Sequence, residues 1–251
     1  MKSDQILLCV HPAGGFCSVF NELARYLKND VSIVGLQARG LESSQTPFET
    51  LSEMIDCYEA AIEDYGEYSV YNIIGYSAGA SIAHELACRL EKKGRTIGLV
   101  GLLDGSIPSP SYVEQKQSRL DILKELVREF TDSTDKITDY NYLLELVVCL
   151  FVEVGYVPEG TPIEFANRMV EEIISFGQRM HGCVLNKGAF DAVYFAADAE
   201  EPSQETVDMR QQWRSYCRSV TYVSIKATHV KLLELGPSQA MAVYIQRYLR
   251  Q

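Results

Sequence analysis

The sequence predicts an α/β protein, a mostly parallel sheet with helices on both faces and a helical insertion near the middle of the chain. Three observations carry that expectation. Short apolar runs alternate with segments of helical periodicity over the first hundred residues, the signature of repeated strand–helix–strand units. One run passes through a glycine-flanked serine, Gly75-Tyr76-Ser77-Ala78-Gly79, straight into a helical segment. From Pro108 to Lys187 the alternation gives way to helical periodicity alone, and strands return only afterwards.

The elements follow in order. Leu7–Val10 reads as a buried strand ending in the turn His11-Pro12-Ala13-Gly14-Gly15. Ser18–Lys28 is a helix with Phe20, Leu23, Ala24 and Leu27 at helical spacing, and Ser32–Leu36 is the second strand. Leu51–Tyr65 places Met54, Ile55, Tyr58, Ala61 and Ile62 on one helical face. The run to Tyr76 is the third strand, and the helix after Ser77 continues to Lys93 with Ile82, Ala83, Leu86, Ala87 and Leu90 facing inward. Leu99–Leu103 is uniformly apolar, as a strand covered on both faces must be. The insertion carries one stripe of Ile122, Leu123, Leu126, Val127 and Phe130, and another of Phe165, Met169, Ile173, Phe176 and Met180. Ala192–Ala196 and Val220–Ile225 complete the sheet, and Ser238–Leu249 closes the chain as a helix. The expected division is a core of 1–107 and 188–251 with a helical lid at 108–187, placed above the C-terminal sheet edge where α/β sites lie, a packed structural subdomain being the alternative reading of the insertion.

Composition narrows the function. A chain of 251 residues with 47% hydrophobic residues suits one α/β domain with an insertion. The net charge of −11 and the lack of any basic block argue against nucleic acid and anionic membrane as partners. No apolar run has the length of a membrane span, and the N-terminus lacks a signal-peptide pattern. The seven cysteines are scattered without a C-x-x-C pair, so we expect a reduced cytoplasmic protein with no disulfide framework and no metal site. Cys149 and Cys183 lie in the insertion, where buried packing is the expected role.

The chemistry concentrates at the strand ends. G-x-S-x-G between a strand and a helix is the nucleophile-elbow pattern. Gly75 and Gly79 are required because a Cβ at either would collide with its surroundings, and the helix N-terminus under Ser77 favours developing negative charge. A serine nucleophile needs a base and an acid that orients it. Of the four histidines, His84 lies along the elbow helix, His181 in the insertion and His11 at the first strand end. His229, after the last strand, is the favoured base in the chain order Ser, acid, His. Asp104 ends the strand that follows the elbow unit and is the favoured acid, with Asp198 at the next strand end as competitor. The amides of Ala13 and Ala78 are the expected oxyanion donors.

His11-Pro12-Ala13-Gly14-Gly15, Val34-Gly35-Leu36-Gln37-Ala38-Arg39-Gly40-Leu41, the elbow pentapeptide and Leu102-Leu103-Asp104 together resemble the type I thioesterase domains of non-ribosomal peptide synthetases. The resemblance is strong over the first 107 residues and weaker around His229. It implies an α/β-hydrolase fold and a Ser77–His229–Asp104 triad. It further implies transfer of an acyl or peptidyl chain from the phosphopantetheine thiol of a carrier protein to Ser77, with release by hydrolysis or macrocyclisation. No cofactor of its own is implied, and the isolated domain is expected to be a monomer. Many relatives have a glycine where this chain has Ala80, and a sequence that starts at Met1 without a carrier domain is expected to be either an excised terminal domain or a free-standing protein. A free-standing type II editing thioesterase remains an alternative, although that class more often carries histidine at the position of Tyr76. A catalytically silent carrier-binding module is the alternative from another class.

Overall fold

The computed structural model describes residues 4–41, 45–108, 118–131, 134 and 136–250. Parts of the expected lid (109–117, 132–133 and 135) and the N-terminal Met1–Ser3 lie outside the described residues. Six strands form one sheet: β1 (Gln5–Val10), β2 (Ser32–Leu36), β3 (Val70–Tyr76), β4 (Ile97–Leu103), β5 (Asp191–Ala197) and β6 (Ser219–Ile225). Every neighbouring pair is parallel, in the order β2-β1-β3-β4-β5-β6. The sheet therefore matches the sequence expectation.

The strands alternate their side chains between two cores, as a period of two requires. Leu7, Cys9, Ile74, Leu103, Val193 and Phe195 face one way, onto α1 (Asn21–Leu27) and the C-terminal helix. Ile6, Leu8, Ile73, Val100, Leu102 and Tyr194 face the other, onto α2 (Leu51–Tyr65) and α3 (Gly79–Lys92). α2 begins at Thr50, whose hydroxyl accepts the Glu53 amide as an N-cap. α3 is buried almost all round, a wider burial than the single face read from its periodicity. Its His84 packs against the rings of Phe190 and Trp213.

Between β4 and β5 the chain forms α4 (Arg119–Arg128), α5 (Tyr140–Glu153) and α6 (Ile163–Met180). A complete capping box at Ser118 and Asp121 starts α4, and Asp139 caps α5. Their apolar faces join the first of the two cores. α5 buries Leu144, Val147, Val148 and Phe151, while Glu145 and Cys149, four residues apart, share its outer face. Cys149 is thus exposed, contrary to the expectation of buried packing, because an almost wholly apolar segment still turns one stripe to solvent. α7 (Gln204–Gln211) follows β5, and α8 (Leu235–Leu249) packs on α1.

This connectivity positions the site. The chain steps from β1 outward to β2, then crosses back to place β3 on the other side of β1. The reversal opens a crevice at the C-terminal ends of β1 and β3, the place where open parallel sheets bind ligands. The loop His11–Gly15 and the turn at Ser77 sit there side by side.

Candidate active site

Ser77 holds a left-handed backbone conformation, φ +56°, which an L-residue adopts only when its surroundings enforce it. The enforcement is visible. The Ser77 amide donates to the Leu103 carbonyl at 2.8 Å, and the Ser77 carbonyl accepts the Ala80 amide at 3.0 Å. A Cβ on Gly75 would lie 2.1 Å from the Gly79 carbonyl oxygen, and one on Gly79 would lie 2.3 Å from that of His11. Both glycines are therefore fixed by close backbone approach, as the sequence predicts. Sequence reasoning missed Gly105, where a Cβ would lie 2.2 Å from the Ser77 carbonyl oxygen. It stands next to Asp104, the only signal that could have found it.

Three distant chain segments meet at this turn. His229 Nε2 lies 2.9 Å from Ser77 Oγ, and His229 Nδ1 lies 2.9 Å from an Asp104 carboxylate oxygen. A carboxylate only accepts, so Nδ1 carries the proton and Nε2 is left to accept the Ser77 hydroxyl. Asp104 also has positive φ, +46°, with its amide bonded to the Phe195 carbonyl at 2.9 Å. Its second carboxylate oxygen accepts the Ala197 amide at 3.1 Å and an Arg210 N–H at 3.2 Å. Burial raises the Asp104 carboxyl, but the bonds from His229 and Ala197, with the nearby positive charges, outweigh it and hold the group below its ordinary value. A serine, an unprotonated imidazole nitrogen and an ionised acid in line can support nucleophilic acyl transfer.

The other candidates fall elsewhere. Asp198 faces Arg210 at 2.6 Å rather than His229. His84 is buried against Trp213 and shares a 3.1 Å hydrogen bond with the Tyr216 carbonyl. His181 caps the end of α6. His11 is buried, with Nε2 2.7 Å from the Tyr58 hydroxyl and Nδ1 2.6 Å from the Pro12 carbonyl. Among the described residues the amides of Ala13 and Ala78 make no turn hydrogen bond, and both residues border a cavity at Ser77. Cys183 donates its thiol to the Arg179 carbonyl at 2.9 Å and lines neither chamber. Among the described residues, His84, Glu85 and Cys88 bring metal-ligand atoms within 4.8 Å of one another. Glu85 there already accepts both the backbone and side-chain N–H groups of Asn186.

Two further residues shape the site without a motif to announce them. The Tyr76 hydroxyl donates to the His229 carbonyl at 2.7 Å, and its ring stacks on the imidazole with centroids 5.1 Å apart. The Tyr156 hydroxyl donates to the next carbonyl, that of Val230. The loop carrying His229 is thus tied both to the elbow strand and to the segment between α5 and α6.

Ser77 and His229 open onto two chambers. The first, about 280 Å³, is walled by Phe16, Ile122, Leu126, Phe151, Met169 and Ile173. The second, about 390 Å³, is walled by Ser106, Pro108, Phe176, Met180 and Met209. α6 contributes to both, one turn after another along its length.

The model of the thioesterase domain family matches residues 5–243. The inactive atromentin synthetase invA4 of Paxillus involutus is 27% identical over 249 residues, covering 91% of this chain and 25% of that protein. Enterobactin synthase component F of Escherichia coli (strain K12) is 32% identical over 126 residues, 49% of this chain and 10% of that protein. The chain therefore spans a quarter or less of the length of these relatives. Among solved structures, the Vlm2 thioesterase domain bound with a dodecadepsipeptide aligns with a TM-score of 0.71 at 22% identity, covering 99% of this chain and 94% of that one. No helix among the described residues is long and apolar enough to cross a membrane. With the family model spanning nearly the whole sequence and the sheet, elbow and insertion in place, the chain belongs to the thioesterase domain family and has the α/β-hydrolase fold.

Proposed function

We propose that this chain releases an acyl or peptidyl group from the phosphopantetheine thioester of a carrier protein through an acyl-Ser77 intermediate. The observation that carries the reading is the continuous hydrogen-bond chain from Ser77 through His229 to Asp104, 2.9 Å at each step. His229 Nε2 takes the Ser77 proton as Oγ attacks the thioester carbonyl, and the thiol leaves with that proton. The imidazole then takes a proton from water or from an internal hydroxyl or amine, which attacks the acyl-Ser77 carbonyl; the bond to Ser77 Oγ breaks, and the proton on Nε2 passes to Oγ. Asp104 holds the tautomer and stabilises the imidazolium. The Ala13 and Ala78 amides would bind the oxyanion, each typically accounting for about 10² to 10³ in rate.

The two chambers support a division of labour. The smaller one under α4–α6 suits the acyl group, and the larger one bordered by Met209 and Ser106 suits the pantetheine arm. At about 280 Å³ the first lies at the small end of ligand sites, which favours a short acyl group.

One observation keeps a second reading alive. The relative that aligns over 91% of the chain is named inactive, so a carrier-binding module without turnover is the alternative. A serine-directed fluorophosphonate, read by intact mass, separates the two. We expect stoichiometric labelling of the wild type, none in Ser77→Ala, and a loss of thioester turnover on the order of 10⁴-fold or more in that variant. Labelling that persists in Ser77→Ala removes Ser77 as nucleophile, and a folded wild type that resists labelling favours the silent module.

A further inference from the structure

Behind the Asp104–His229 pair lies a buried arginine that no motif announced. Arg210, near the end of α7, is 8% exposed. One of its terminal nitrogens donates to Asp198 at 2.6 Å, and the other donates to Asp104 and to the Ala197 carbonyl at 3.2 Å each. Its own carbonyl accepts the Tyr222 hydroxyl from β6 at 3.1 Å, and its guanidinium carbon lies 5.9 Å from the Tyr194 ring on β5. Next to it, Trp213 Nε1 donates to the Gly105 carbonyl at 2.9 Å, so the segment after α7 also grips the residue that follows Asp104.

We propose that Arg210 is a positioning residue, one guanidinium shared between Asp104 and Asp198 that orients the Asp104 carboxylate and offsets the second negative charge behind His229. The proposal rests on the acyl-Ser77 reading. Two carboxylates meet one cation here. Without the arginine, Asp198 and Asp104 would both bear on the imidazole, and the excess negative charge would favour its protonated form. The fork geometry matters as well as the charge, because it restrains the carboxylate oxygen that His229 does not use. The groups facing this cluster are Asp104 and Tyr76 from the elbow side, Asp198 and Tyr194 from β5 and its loop, Tyr222 from β6, and His229 itself, which shares the first chamber with Glu125 and Glu129 of α4 and with Tyr156. The tyrosines Tyr76, Tyr194 and Tyr222 all have raised pKa values, chiefly from burial, and so stay neutral through the pH range of interest.

The test is the second-order rate of fluorophosphonate labelling between pH 5 and 9, whose acid limb reports protonation of the base. Arg210→Met should slow labelling about 10-fold or more and move the acid limb up by about half a pH unit or more. Asp198→Asn removes a negative charge and should move the limb down. The double variant restores the local charge and should bring the limb back toward the wild type. Arg210→Lys should keep the limb and lose rate. An acid limb that stays at the wild-type position in every variant, whatever the rates, makes Arg210 merely structural and overturns the proposal. Circular dichroism checks each fold; should Arg210→Met not fold, Asp198→Asn and Arg210→Lys still decide the matter. Labelling that survives Ser77→Ala is a different failure, since it removes the acyl-Ser77 reading and this inference with it.

Discussion

Tyr76 illustrates how a residue between two motif glycines can do more than fill space. Burial, reinforced by the charges of Tyr156, Asp104 and Glu129, holds its phenol well above the ordinary tyrosine value, so the hydroxyl always has a proton to donate to the His229 carbonyl. That bond fixes the main chain at His229, while the stacked ring limits rotation of the imidazole. Tyr76→Phe keeps the stack and removes one hydrogen bond, a loss of about 1 kcal/mol. We expect kcat/KM for a short acyl thioester to fall about 3- to 10-fold, with the thermal midpoint little changed; an unchanged rate would show that the bond does not hold the base. The convergence of Ser77, Asp104 and His229 was legible in the sequence because each lies in a loop that follows a strand and their chain order matches an elbow chemistry. Tyr76 and Arg210 were not. A tyrosine in an apolar strand and an arginine in the polar segment Gln204–Gln211 look the same whether they face a site or solvent, and only the pairing of β5 with β6 brings the second one under Asp104.

At the scale of elements, α6 is the piece that separates the two chambers. Met169 and Ile173 reach the apolar chamber, and Phe176 and Met180 reach the other. Its position is held from the opposite side by the buried pair Glu172–Arg179, and Arg179 also donates to the Phe48 carbonyl at 2.9 Å. The apolar stripe of α6 was visible as a period, but a period reports which side is apolar and not that the side is divided between two cavities. Ile173→Trp should shrink the first chamber. We expect it to lower kcat/KM for longer acyl thioesters by about 10-fold or more while sparing acetyl, consistent with the cost of overfilling a packed site. Met209→Trp narrows the second chamber instead. It should penalise full-length pantetheine thioesters over the short N-acetylcysteamine thioesters of the same acyl group. A variant that slows both thiol carriers equally would argue against that chamber as the path of the arm.

Across the whole molecule, the sheet order is what makes the local chemistry possible, and it is the part least legible in the sequence. Alternating strands and helices imply parallel pairing, yet nothing in the apolar runs says that β3 must cross to the far side of β1. The crossing sets His11 at the bottom of the crevice, and its consequence is a pH dependence of stability. His11 is fully buried. Because the Pro12 carbonyl only accepts, Nδ1 holds the proton and Nε2 accepts from Tyr58. Burial lowers the His11 pKa to about 4; the Pro12 bond raises it and the Arg179 charge lowers it further. An unfolded histidine titrates near 6.5. Above that pH both states are neutral and His11 adds no slope. As the pH falls toward 4, the unfolded chain takes up a proton that the folded protein refuses, and stability is lost. Between pH 7 and 5 the loss should reach about 2 kcal/mol. Urea unfolding at several pH values in that window, compared with His11→Asn, isolates the contribution. Asparagine retains an N–H for the Pro12 carbonyl but cannot ionise, so its stability should be nearly flat where the wild type declines. Equal slopes in the two proteins would mean that the proton goes elsewhere. A reduced slope in the variant would tie the acid sensitivity of the fold to the loop that carries the Ala13 amide.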